Sequence, residues 1–74
     1  MNQDEQTLES IKESLAIKRE LGDRHGIAMS LHTLGVALRR RGDLERSRPR
    51  LEEGLDLHRE LGDSQGIAGT AHEL

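Results

Sequence analysis

Ile27, Leu31, Leu34 and Leu38 recur at steps of three and four residues, the spacing that lines one face of an α-helix, and Ala28 and Gly35 widen that stripe. A helix buried along one side follows. The stretch before it sets Leu8, Ile11, Leu15 and Leu21 in the same rhythm, and the stretch after it sets Leu44, Leu51, Leu55 and Leu61. Between the stripes stand Gly22-Asp23, Gly42-Asp43 and Gly62-Asp63, each pair twenty residues after the last. Glycine accepts the left-handed conformation that closes a helix, and aspartate accepts the backbone N–H groups that open the next. Each pair is therefore a helix-to-helix corner. The pattern predicts an all-α chain of about four helices over 4–21, 24–41, 44–61 and 64–74, antiparallel to their neighbours because the turns are short, in one domain over 1–74. There is no strand signal. Pro49 removes a helical hydrogen bond from the third segment, which either kinks or begins late with Ser47 as its cap. Leu44 belongs to the stripe, so a kinked helix starting at Leu44 is expected.

The chain also repeats itself. Arg19 to Asp23 and Gly26 to Ala28 return as Arg59 to Asp63 and Gly66 to Ala68, a shift of forty positions. Glu13, Leu15, His32 and Leu34 match Glu53, Leu55, His72 and Leu74 at the same shift, giving twelve identities over the twenty-four residues 11–34. Self-similarity at such a period is the mark of stacked helical units.

Within the second and third segments, Leu31, Leu34-Gly35 and Leu38 fall at the spacing of the first helix of a tetratricopeptide repeat, and Ser47, Leu51 and Gly54 at the small, large and small places of its second helix. The chain resembles that family over nearly its whole length, with Gly42-Asp43 as the turn between helices. It is similar to the longer, forty-residue variant with Arg-Glu-Leu-Gly-Asp endings found in bacterial signalling regulators and animal polarity adaptors. It departs from the usual pattern in having Leu at the aromatic places and Arg59 where a closing proline is common. The resemblance implies an α-solenoid whose first helices line a concave wall that binds a peptide or partner helix. By that analogy the partner-binding residues are Met29, His32, Val36, Arg39 and Arg40, with Gly69 and His72 from the last helix. The same analogy gives Gly22, Asp23, Gly42, Asp43, Gly62 and Asp63 to the corners, and Leu31, Leu34, Gly35, Leu38, Leu51 and Leu55 to the packing between helices. Members that clamp a C-terminal carboxylate use Lys, Asn and Arg where this chain has His32 and Val36.

Charge adds one alternative. Arg39, Arg40, Arg41, Arg46, Arg48 and Arg50 crowd one corner of a chain whose net charge is −3, and guanidinium groups bind phosphate or acidic peptides. With Phe, Tyr and Trp all at 0, bases have nothing to stack on, so nucleic acid is the weaker partner. Those arginines equally suit the negative end of their helix and a solvated corner. Four histidines raise the question of metal, yet His25 and His32 are about 10.5 Å apart along a helix, and His32 with His72 supply only two ligands. No cofactor is expected. Ser, His and Asp occur without a nucleophile elbow, a phosphate loop or paired carboxylates, so no enzymatic activity is expected either.

At 74 residues, 32% apolar and Cys 0, the chain has a thin core and no disulfide or thiolate staple. The apolar runs are too short for a membrane span or signal peptide, and a soluble cytoplasmic protein is expected. A single repeat cannot bury its own apolar face, so the chain is expected to self-associate through its end helices or to be marginally stable. A structural spacer within a larger regulator is the remaining alternative.

Overall fold

The computed structural model describes residues 3–74, with side chains from residue 5 onward. Four helices follow one another: α1 Gln3–Leu21, α2 Arg24–Arg40, α3 Leu44–Leu61 and α4 Ser64–Glu73. There is no strand among the described residues. Each helix packs on the next, and α2 also touches α4, as in a helical-repeat stack.

The corners follow from local chemistry. Gly22, Gly42 and Gly62 all adopt positive φ, at 69°, 84° and 69°. That geometry lets the Asp23, Asp43 and Asp63 N–H groups reach back to the carbonyls of Lys18, Leu38 and His58, each at 3.0 Å. The same three aspartates then cap the following helix. Their carboxylates accept from the N–H groups of Gly26 at 2.9 Å, Arg46 at 3.2 Å and Gly66 at 3.0 Å. One residue thus ends one helix and begins another.

The core forms where α1 meets α2, from Leu8, Leu15, Leu31, Leu34 and Leu38, with Ile11, Ile27 and Ala37 against it. Leu51 and Leu55 continue it into α3. The α2–α3 approach is close because the small positions face each other's bulk. A Cβ built on Gly54 would sit 3.3 Å from Leu31 Cβ, and one on Gly35 would sit 2.5 Å from Leu51 Cγ. Ser47 Oγ donates a buried 2.7 Å hydrogen bond to the Gly35 carbonyl, tying the two helices at that point.

Two leucines of the stripes lie elsewhere than the pattern expects. Leu21 is 75% exposed and Leu44 is 62% exposed, because each stands at a helix end beyond the reach of a covering neighbour. Leu61 is only half-buried. The third helix begins at Leu44, so the late start at Ser47 does not occur, and Asp43 rather than Ser47 is its cap. Pro49 lies inside α3 and supplies no N–H to the preceding turn.

Candidate interaction surface

Two bonds join α2 to α4. His32 Nδ1 lies 2.9 Å from Thr70 Oγ1, and Arg39 Nη1 donates to Glu73 Oε2 at 2.8 Å. Thr70 is fully buried, which puts the His32 contact at the seam and the Arg39 pair at its more exposed end. The two helices therefore share one outer face. Met29 is exposed on that face and Val36 half-buried, while Gly69 presents only backbone, with His32 Cε1 3.8 Å from where its Cβ would be. His72 is exposed one turn further along α4. Arg40 lies at the α1 side of α2, bordering a shallow depression with Thr7, Leu8 and Ala37.

Half of the arginine corner is engaged within the chain. Besides Arg39, Arg46 pairs with Asp43 at 3.0 Å and Arg50 with Glu53 at 3.6 Å. Arg19 of α1 reaches the same Glu53 at 3.1 Å and ties α1 to α3 across α2. Among the described residues Arg40, Arg41 and Arg48 make no ion pair.

Spacing alone did not reveal the cluster at the last corner. His58 is buried, its ring pressed against Gly66 of α4, and its Nδ1 stands 3.3 Å from Asp63 Oδ2 without hydrogen-bond geometry. His25 Nε2 approaches the same oxygen at 3.3 Å, and the two imidazoles meet edge to face with centroids 6.5 Å apart. The Gly66 N–H bond lowers the Asp63 carboxyl from its ordinary value. Partial burial opposes that shift, and the charges of His58 and His25 add to it. Lys18 holds the position of His58 one repeat earlier and lies against Gly26 as His58 lies against Gly66. A glycine in the first turn of the following helix was the available signal for a bulky partner there. Among the described residues no three His, Asp or Glu side chains converge in a metal-binding arrangement. No helix among them is long and apolar enough to cross a membrane.

A family model described as the tetratricopeptide repeat matches residues 1–60. No curated protein and no solved structure matches the chain.

Proposed function

Because the chain belongs to the tetratricopeptide repeat family, whose members are in general non-catalytic protein-interaction modules, we propose that it binds a peptide or helical segment of a partner protein along the shared outer face of α2 and α4. The observation that carries this reading is the pair of inter-helix bonds, His32 to Thr70 and Arg39 to Glu73, which join α2 and α4 into one face. Met29 and Val36 supply apolar contact, Gly69 leaves room for a close backbone approach, and His72 borders the face with a polar group, whereas Arg40, on the α1 side of α2, lies off it. Binding of phosphate or nucleic acid through the arginine corner finds less support. Arg39, Arg46 and Arg50 already hold carboxylates, which leaves three of the six arginines for a ligand.

Selection of binders from a displayed random-peptide library, followed by amide chemical-shift mapping, tests the proposal. Shifts at Met29, Val36, Gly69 and His72 are expected, with Met29→Glu weakening the selected peptide about tenfold while leaving the melting temperature in place. Binders that shift only α1 and the outer side of α3 would refute it.

A further inference from the structure

All four histidines of the chain lie on α4 or against it. His25 approaches Asp63, the cap of α4, and His58 presses on Gly66 in its first turn. His32 meets Thr70 a turn further on, and His72 belongs to α4 itself. The four divide by what faces them. His25 and His58 share the Asp63 carboxylate, whose lowered value keeps it ionised throughout the range in which imidazoles take up protons. A charge on either is matched within the chain. His32 and His72 have no such counterpart, and among the described residues neither makes an ion pair. Against His32, α4 sets Thr70 and Gly69, and α3 presents Gly54 to its backbone. No carboxylate occurs anywhere in α2, and the only one in α4, Glu73, already accepts from Arg39. From this imbalance we infer that the segment bound by this face is acidic and that protons govern its hold: two carboxylates of the partner pair with His32 and His72 when both are charged, and the segment is released when both are neutral. The inference rests on partner binding at the α2–α4 face and names its chemistry.

The seam survives the added proton. A threonine hydroxyl accepts as well as donates, so a charged His32 keeps its 2.9 Å contact to Thr70 Oγ1 through Nδ1 and has Nε2–H left for a ligand. His32 stays half-exposed with α4 packed beside it. His72 holds the equivalent place forty residues later, so its role does not depend on its present exposure: His32 shows that a neighbouring helix leaves such a ring half open. Met29 and Gly69 are also repeat equivalents, each three residues before its histidine. One offers an apolar side chain and the other bare backbone, and the body of the segment lies over them while its carboxylates reach the two rings. With the histidines neutral the chain carries a net charge of −3, which opposes an acidic segment, and Arg39 is already matched by Glu73. The attraction therefore comes from the two imidazolium charges.

Selection from a displayed random-peptide library that lacks histidine, run on the full chain at about pH 5.5 and in parallel at about pH 8, brackets the range in which imidazole titrates and tests this. Amide chemical-shift mapping locates each binder, and far-ultraviolet dichroism verifies that the chain is folded at both values. Peptides selected at the lower pH are expected to carry two or more Asp or Glu, to shift Met29, Val36 and Gly69, and to bind at least about tenfold more weakly at the higher pH. Their Asn and Gln counterparts are expected to lose that advantage. His72→Gln is expected to reduce the pH effect, and His72→Lys, whose charge persists at the higher pH, to keep the acidic peptides bound there. Because His72 is exposed, neither change disturbs the fold. Binders that shift the same residues with equal affinity at both pH values would overturn the proton control while leaving the face itself in place. Binders that map only to α1 and the outer side of α3 would remove both readings, as would a selection that yields no binder at the lower pH.

Discussion

Adding one methyl group to Gly35 measures how tightly the α2–α3 seam is closed. The new Cβ would lie 2.5 Å from Leu51 Cγ and Cδ2 and 3.4 Å from the Leu51 backbone nitrogen, against an optimum of about 3.5–4.0 Å for carbon pairs. Leu51 is itself buried and has no solvent to swing into. Relief requires the helices to part, and the Ser47 bond to the Gly35 carbonyl resists that. Overpacking of this kind costs about 1–3 kcal/mol, and the better helix propensity of alanine returns up to about 1 kcal/mol. A net loss of about 1–2 kcal/mol is expected for Gly35→Ala, or a fall in Tm of roughly 5–15 °C in a domain of this size. Gly69→Ala is the control. Its nearest neighbour outside the helix stands at 3.8 Å, an ordinary contact, so only the propensity gain remains and the Tm is expected to rise by a few degrees. With no Trp, Tyr or Phe in the chain, thermal melts are followed by far-ultraviolet dichroism at one fixed protein concentration. A Gly35→Ala melt at or above wild type would refute the close-packed seam, as would shifts of the same sign and size in both variants.

The remaining predictions concern the last corner and the proline. Asp63 has a folded-state value below the ordinary 3.8, set first by the Gly66 N–H, so it favours the folded chain fully above that ordinary value and loses the benefit as pH falls towards the folded value. Urea midpoints measured between about pH 5 and pH 2.5 are expected to fall in the wild type and to be flatter in Asp63→Asn, and equal slopes in both would contradict this. Pro49→Ala restores an N–H for the Glu45 carbonyl inside α3 and is expected to stabilise by about 1–3 kcal/mol, read as a higher Tm. An unchanged or lower Tm would mean that the proline ring contributes packing in the groove it borders beside Leu15 and Leu38.

What sequence could reveal divides along the range of the interactions. The corners were legible because Gly22, Gly42 and Gly62 and the aspartates after them act within a few residues of themselves. The small positions Gly35, Ser47 and Gly54 were legible through family spacing, and all three are buried where the helices touch. Leu21 and Leu44 misled, because a periodic stripe gives the direction in which a side chain points and says nothing about whether a neighbour reaches that far. His58 escaped notice for the opposite reason. A histidine flanked by Leu57 and Arg59 carries no mark of burial, and only the glycine eight residues later, in the next helix, makes space for it. The bonds that hold the outer face, His32 to Thr70 and Arg39 to Glu73, span thirty-eight and thirty-four residues, and no local pattern foretold them.

The three corners have a kinetic consequence. Each is closed by bonds that reach back five residues or fewer and forward three or four, so no long loop must form before a helix pair begins to gain contact energy. Chains of such low contact order fold quickly, and a stack of near-equivalent hairpins has no obligatory starting point. The route from the unfolded state is therefore a choice among nuclei, and a lesion at one corner redirects the traffic to another.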